Sequence, residues 1–158
     1  MTSFTDDMRD RGMRPASRTL ELRISPAGAR LGRLLRVSPS EPIVVAQRLR
    51  LADGESMALE TLHVRETFIP GLTRADLEQH SFYELLRDRY GIEIVGGEQT
   101  IEPTVTDEEE SATLGVPLHS PAFRFERITH SQTGDVVEFV ESVYRGDRYK
   151  LVTELRRF

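Results

Sequence analysis

The stretch VVAQRLRLADGESMALE, which spans Val44–Glu60, has the pattern of a β-hairpin. Apolar residues alternate with other residues on both sides of Asp53-Gly54, and this dipeptide between two alternating runs is a strong turn signal. The first arm carries Arg48 and Arg50, and side chains two residues apart on a strand point to the same face. These two cations therefore either lie on a solvent-exposed face or line a pocket that binds an anion.

The apolar residues of the two arms predict the length of the loop. Paired residues of an antiparallel ladder share a face. A two-residue loop would put the two apolar sets on opposite faces, whereas a three-residue loop over 52–54 pairs Leu49 with Met57. In this register, the face of Arg48 and Arg50 also carries Ser56, Ala58 and Glu60. Such a face would suit a phosphate that bears hydroxyl groups; the alternative is a solvent-exposed face with a cross-strand ion pair.

The composition is typical of a globular, soluble protein, and the length fits a single domain over residues 1–158. The hydrophobic fraction is 38% and the charged fraction 30%. The chain has no cysteine, which excludes disulfides, thiolate metal sites and a cysteine nucleophile. The first twenty residues are polar and do not resemble a signal peptide, and no apolar run is long enough to cross a membrane. We therefore expect a cytoplasmic protein without a membrane partner.

The charge distribution argues against direct binding of nucleic acid. The net charge is −5, and arginines are interleaved with acidic residues, whereas a DNA-binding domain usually carries a basic face. The histidines also lack the short spacings of metal ligands. They are His63, His80, His119 and His130. We expect no bound metal and no cofactor.

Turn and capping signals divide the rest of the chain into short elements. Capping boxes at Ser81–Glu84 and Thr106–Glu109 predict the starts of two helices, and Thr5 is expected to cap a short N-terminal helix. Gly91 and Gly115 predict helix ends. The expected helices span 5–12, 27–35 (capped by Ser25-Pro26), 81–91 and 106–115, and the expected strands 19–25, 43–51, 56–64, 92–105, 122–130, 136–144 and 149–155. This order indicates an α+β fold, a mostly antiparallel sheet with helices on one side or around its ends.

Several short motifs, taken in order, resemble a known family. They are TSFTDDMRDRGM at 2–13, Arg48-Leu-Arg50, Asp53-Gly54, Glu60, Ser81-Phe-Tyr83, Val136-Val-Glu138 and SVYRGDRYK at 142–150. Each motif alone is weak, but the ordered set covers essentially the whole chain. It resembles the UTRA effector domain of HutC-type transcription regulators in the bacterial GntR family. Within that family, the chain is similar to regulators that sense N-acetylglucosamine 6-phosphate or glucosamine 6-phosphate.

The resemblance implies a fold like that of chorismate lyase, with a small-molecule effector buried beside the sheet. It implies ten ligand-binding residues: Arg48, Arg50, Ser81 and Tyr83 for the phosphate, Ser3, Phe4 and Thr5 in a segment that closes over the ligand, and Glu60, Glu138 and Tyr144 for the sugar. It also implies a homodimer. A winged helix-turn-helix domain normally precedes such a domain, so DNA binding would belong to a segment outside this chain. We expect a fragment cut at the linker; the alternative is a stand-alone sensor.

The chemistry of these residue types agrees with an anion pocket. Ser81 is independently predicted at a helix N-terminus, which offers free N–H groups to an anion. Arginine offers paired donors that match phosphate oxygens, and glutamates accept hydrogen bonds from sugar hydroxyls. The segment around Ser3 is short, polar and terminal, so we expect few buried apolar contacts to hold it when the pocket is empty.

Two other functions remain open from the sequence. One is a chorismate lyase-like enzyme that acts on a small anionic substrate, and the other is the same sensor with a different effector. Glu60 and Glu138 are also the two carboxylates that a glycoside hydrolase would need, but the sequence gives no distance between them. We expect binding without turnover, and hence no catalytic residue.

Overall fold

The computed structural model describes residues 2–157. Its strands are β1 (Pro15–Pro26), β2 (Pro42–Ala52), β3 (Glu55–Arg65), β4 (Ile94–Val105), β5 (Pro121–Ser131) and β6 (Val136–Arg145). Its helices are α1 (Phe4–Asp10), α2 (Gly28–Leu35), α3 (Arg74–Gln79), α4 (Phe82–Tyr90) and α5 (Glu108–Leu114), with a 3-10 turn at Glu66–Phe68. No helix within residues 2–157 is long and apolar enough to cross a membrane.

The strands form one antiparallel sheet in the order β1-β2-β3-β6-β5-β4. The predicted α+β class is therefore confirmed. Apolar side chains of α1, α3 and α4 pack against one face, where Ala46, Ala58 and Leu62 lie. Those of α2 and α5 pack against the opposite face, where Val45 and Leu59 lie. The helices thus cover both faces of the sheet, and the expectation that they lie on one side or around its ends was wrong.

The β2–β3 hairpin has a two-residue loop, not the predicted three-residue loop. Asp53 and Gly54 both have positive φ, at 52° and 79°, as a tight hairpin turn requires. A register shift after Arg50 compensates for the shorter loop, so that Arg50 pairs with Ala58 and Arg48 with Glu60. The predicted common face of these four residues is therefore confirmed.

Ser56 was wrongly placed on the arginine face. It pairs with Leu51 beyond the register shift, and its hydroxyl donates a 2.5 Å hydrogen bond to the carbonyl oxygen of Leu114 at the end of α5. The bulge reverses the side-chain alternation at this point, which a count of alternating residues does not detect.

The predicted helix starts were displaced by one or two residues. Ser3, not Thr5, caps α1: its hydroxyl accepts a 3.1 Å hydrogen bond from the backbone N–H of Asp6, whose carboxylate accepts one from the backbone of Ser3. Asp107, not Thr106, caps α5 in the same way. Both observed N-caps make the reciprocal pair of hydrogen bonds of a capping box. The cap of α1 lies two residues before the predicted position, and that of α5 lies one residue after it.

Two further capping predictions were also wrong in part. Pro26 ends β1, and α2 begins at Gly28 without a side-chain cap from Ser25. Ser81 does occupy the N-cap position of α4, but its hydroxyl makes no capping hydrogen bond. The predicted helix ends at Gly91 and Gly115 are confirmed, since both residues adopt the left-handed conformation.

The strand predicted over 149–155 does not form. This segment is irregular, and it contacts the sheet and α1 through its first residues. The Tyr149 ring lies 4.5 Å from that of Tyr144, and the carbonyl oxygen of Lys150 accepts a 2.8 Å hydrogen bond from Arg11. Side-chain contacts with α1 thus replace the expected strand pairing.

Candidate functional site

All ten predicted ligand-binding residues line one cavity between the sheet, α1 and the N-terminus of α4. Arg48 and Arg50 on β2, Glu60 on β3, and Glu138 and Tyr144 on β6 lie on the same face because the strands alternate in register. The helix termini supply the other five residues, which are Ser3, Phe4, Thr5, Ser81 and Tyr83. Residues far apart in sequence thus meet at one polar site inside an apolar layer.

Two buried arginines share one carboxylate in the floor of this cavity. Arg48 and Arg50 are 3% and 5% exposed. Arg48 donates a hydrogen bond from Nη2 to Oε1 of Glu60, and Nη1 of Arg50 lies 3.5 Å from the same oxygen. Within residues 2–157, Nε and Nη1 of Arg48 and Nε of Arg50 have no hydrogen-bond partner. Buried charged donors without an acceptor are costly, so this arrangement favours an additional anion.

The protonation states agree with that charge balance. Burial and the neighbouring Arg48 lower the pKa of Arg50 to about 10, and Glu60 opposes this only partly. Burial alone would raise the pKa of Glu60, but the two arginines outweigh burial and hold it below its usual value. At neutral pH, the floor therefore carries two cations and one anion.

A second polar cluster, at the β5–β6 side of the cavity, surrounds Glu138. The hydroxyl of Tyr83 donates a 2.8 Å hydrogen bond to Oε1 of Glu138 and accepts a 3.3 Å one from Arg127. Burial and the charge of Glu60 raise the pKa of Glu138 to about 7, although the bond from Tyr83 opposes the shift. Burial also raises the pKa of Tyr83, which keeps this phenol a hydrogen-bond donor.

Six residues that line the cavity were missed from the sequence: Phe82, Gln99, Phe125, Arg127, Val140 and Ser142. Val140 and Ser142 lie between Glu138 and Tyr144 at intervals of two, so strand alternation alone would have placed them on this face. Arg127 lies two residues after Phe125, so strand alternation places both side chains on the same face of β5. Gln99 lies on a largely exposed strand, where no local signal marks it.

The roof of the cavity is α1. The guanidinium of Arg50 lies 4.5 Å from the centre of the Phe4 ring, a cation–π contact. Phe4 and Met8 are 7% and 0% exposed, and Thr5 is also buried. The expectation that this segment has few buried apolar contacts was therefore wrong. The free volume beneath it is about 50 Å³, far below the ~300–1,000 Å³ of typical ligand pockets.

The N-terminus of α4 closes one end of the cavity. Ser81 is 6% exposed, and its hydroxyl is free of the capping role that the sequence predicted for it. The first N–H groups of a helix have no partner within the helix, so this end of α4 presents donors close to Arg50. Donors from a helix terminus and from two arginines therefore converge on one region.

Metal ligands do not gather in the described part of the chain. Within residues 2–157, no group of three His, Asp or Glu side chains is placed to hold a metal ion. The side chains of the cavity instead offer guanidinium, hydroxyl and carboxylate groups, which suit a polar organic anion.

Comparison with known proteins identifies the family. The UTRA domain profile matches residues 10–150. The chain is 33% identical over 157 residues to the HTH-type transcriptional repressor NagR of Bacillus subtilis, covering 99% of this chain and 64% of the repressor. It is 28% identical to the HTH-type transcriptional repressor PhnF of Mycolicibacterium smegmatis, covering 94% and 60%. The chain thus spans less than two thirds of these relatives.

The structural likeness covers the whole fold. The crystal structure of the effector domain of PhnF from Mycobacterium smegmatis superposes with a TM-score of 0.90 at 26% identity, covering 98% of this chain and 95% of that domain. The sequence profile and the shared architecture agree. The chain belongs to the UTRA domain family, and its homologues are transcriptional regulators of the GntR family.

Proposed function

We propose that this chain is the effector-sensing domain of a cytoplasmic bacterial transcription regulator of the HutC type and that it binds a phosphorylated amino sugar. N-acetylglucosamine 6-phosphate and glucosamine 6-phosphate are the effectors that we favour. The observation that carries the proposal is a set of buried guanidinium N–H groups beside one shared carboxylate, which have no partner among residues 2–157. The domain binds its ligand without turning it over.

The phosphate would lie at the arginine end of the cavity. Arg48, Arg50 and Ser81 would donate to its oxygens, together with the first N–H groups of α4. The segment from Ser3 to Thr5 would contact the same end from above. Each charge-assisted hydrogen bond contributes on the order of 1.5–3 kcal/mol net, so two or three of them support micromolar affinity.

The sugar would lie toward β5 and β6. Glu138 would accept hydrogen bonds from ring substituents, and Glu60, held by both arginines, would accept from a hydroxyl near the phosphate. Tyr144 and Phe125, whose ring centres are 4.7 Å apart, offer an apolar surface to a face of the sugar ring.

Ligand binding would be transmitted through α1. DNA binding would belong to a domain outside this chain, joined before the segment that holds Ser3. A ligand that contacts α1 in one arrangement, and not in others, shifts the population toward that arrangement and so repositions whatever is attached. Stand-alone catalysis is not needed for this role.

The domain would act as a homodimer. Symmetric dimers are the commonest assemblies of soluble proteins, and regulators with two heads read two half-sites. The edge of β1 is occupied at Thr19, where Glu78 and Arg74 bond its backbone N–H and carbonyl groups. The opposite edge strand, β4, is largely exposed along its twelve residues, so its backbone is available to a second copy.

Calorimetry with matched ligands tests the proposal. We expect glucosamine 6-phosphate or N-acetylglucosamine 6-phosphate to bind with micromolar or tighter affinity, and the unphosphorylated sugars to bind at least about 100-fold more weakly. Equal binding of phosphorylated and unphosphorylated sugars would contradict the anion pocket. Turnover of chorismate, followed by absorbance, would instead support the enzyme alternative.

A further inference from the structure

Within residues 2–157, Glu138 is a buried carboxylate without the close cationic partners that the neighbouring Glu60 has. It is 2% exposed, and Glu60 is 7% exposed. Within residues 2–157, Glu60 forms ion pairs with Arg48 and Arg50, whereas no side-chain nitrogen of Arg, Lys or His lies within 4.0 Å of the Glu138 carboxylate. A buried carboxylate without a cation is unstable in its charged form, so a ligand that brings a cation gains affinity there.

The hydrogen bonds around Glu138 leave acceptor capacity on its carboxylate. One of its oxygens accepts from Tyr83 at 2.8 Å. Arg127 donates to the oxygen of Tyr83 and not to Glu138 itself. The end of the cavity at Glu138 therefore offers a buried carboxylate with free acceptor capacity.

A protonated amine fits this arrangement better than other substituents. An ammonium group has three donors, no acceptor and a positive charge, so it can both bond to the Glu138 carboxylate and neutralise its charge. A sugar hydroxyl brings one donor and no charge. An N-acetyl group brings one donor and no charge.

The charges of the whole cavity lead to the same result. Arg48, Arg50 and Arg127 carry three positive charges, and Glu60 and Glu138 carry up to two negative ones. When both glutamates are ionised, a phosphate dianion at the arginine end leaves one excess negative charge, which one ammonium at the opposite end neutralises. Burial raises the pKa of Glu138 to about 7, as expected for a carboxylate that is removed from water.

We infer that the cavity selects a ligand with two charged ends, a phosphoryl group at Arg48 and Arg50 and a free protonated amine at Glu138. This inference rests on the proposed function and restricts the class of ligand that it allows. Among phosphorylated sugars, it favours the free amine over the N-acetylated and the hydroxyl forms. The same pair of charges also occurs in aminoalkylphosphonates, so the test includes both kinds of compound.

The experiment compares four ligands by calorimetry on the wild-type chain: glucosamine 6-phosphate, N-acetylglucosamine 6-phosphate, glucose 6-phosphate and a short linear aminoalkylphosphonate. We expect glucosamine 6-phosphate to bind at least about tenfold more tightly than glucose 6-phosphate and more tightly than the N-acetylated form. Comparable binding of the linear aminoalkylphosphonate would support the charge pair and assign it to a ligand without a sugar ring.

Two matched variants isolate the carboxylate. Glu138→Gln keeps the shape and the bond from Tyr83 and should bring the affinities for the amine and hydroxyl ligands to within about twofold of each other. Glu141→Gln, on the same strand but on the opposite face beside Arg30, should leave their ratio unchanged. Thermal melting of both variants confirms that they fold.

Different results would contradict this inference and the proposed function. Equal affinity for glucosamine 6-phosphate and glucose 6-phosphate in the wild type, tighter binding of the N-acetylated form, or a ratio that survives Glu138→Gln would overturn the inference while leaving the proposed function intact. Absence of binding by every phosphorylated sugar and by the phosphonate would overturn both.

Discussion

Arg48 is the residue on which the anion site depends most directly, because it holds Glu60 and has two nitrogen atoms without a partner in the described part of the chain. We expect Arg48→Ala to weaken binding of glucosamine 6-phosphate by about 10- to 100-fold, the value of one charge-assisted contact. Calorimetry measures the change. Arg33→Ala, which removes an exposed arginine of α2 on the opposite face, is the matched control.

The same experiment on Arg50 completes the test. Arg50 shares Glu60 with Arg48, so Arg50→Ala should cause a loss of similar size. If both single variants kept the affinity of the wild type, the two arginines would have a structural role only, and the phosphate would have to bind elsewhere.

Glu138 should make the stability of the empty protein depend on pH. Its pKa is raised to about 7 in the folded chain, so between about pH 4.5 and 7 the folded state binds more protons than the unfolded state. The stability that the protonated form contributes is complete below this window and is lost as the pH rises through it. The free energies of unfolding of wild type and Glu138→Gln, measured with denaturant, should therefore differ by an amount that depends on pH. From pH 5 to pH 8, this difference should shift in favour of the variant by on the order of 2 kcal/mol.

Other groups do not disturb this comparison. The pKa of Glu60 is lowered, so its contribution is lost only in acid, below this window. Burial lowers the pKa of His63, and this shift contributes equally to both proteins because His63 is present in both. A free-energy difference that stayed constant from pH 5 to pH 8 would show that Glu138 is ionised throughout.

At the scale of elements, α1 is the part of the structure that must respond to a ligand. It forms the roof, and Ser3, Phe4 and Thr5 line the cavity. We expect amide hydrogen exchange over residues 3–12 to slow by at least about tenfold when glucosamine 6-phosphate is added, because the ligand would hold the helix closed. The β2 strand, which is paired with a neighbouring strand on both sides, should change less and serves as the internal control.

The contrary result would redirect the mechanism. Equal protection of residues 3–12 with and without the ligand would mean that α1 does not report occupancy. The signal would then pass through the contact between two copies of the domain.

The elements could be predicted wherever the signal is local. Gly91 and Gly115 end their helices as expected because only a left-handed residue closes a helix in that way. The hairpin loop was one residue too long in the prediction, yet Arg48 and Glu60 were placed correctly, because the bulge restores the alternation. The strand expected at 149–155 failed because alternation does not reveal whether a sheet edge is available for pairing.

At the scale of the whole molecule, the proposal of a homodimer is the most direct to test. Light scattering at micromolar concentration should give about twice the 18.0 kDa of one chain. The exposed edge of β4 and three exposed apolar side chains near the C-terminus supply surface for a second copy; these side chains are Leu151, Val152 and Leu155. A mass near that of one chain, independent of concentration, would count against the dimer.

The sequence predicts more of the candidate site than of the packing around it. Family motifs located ten residues that all line one cavity, although their roles in binding remain predictions. Arg127 and Gln99 were missed because their inclusion depends on how β4 and β5 are ordered in the sheet, which no local pattern determines. The balance between Glu60 with two cations and Glu138 with none was also beyond the sequence, since it depends on distances between strands.

The closed roof over the arginines also determines how fast a ligand can bind. Lifting α1 would expose Phe4 and Met8, at a cost of about 3–6 kcal/mol. On the order of one molecule in a hundred, or fewer, would then be open at any moment. Stopped-flow association rates should therefore level off as the ligand concentration rises, at the rate of helix opening. A rate that increased linearly up to millimolar ligand would show that effectors reach the cavity by another path.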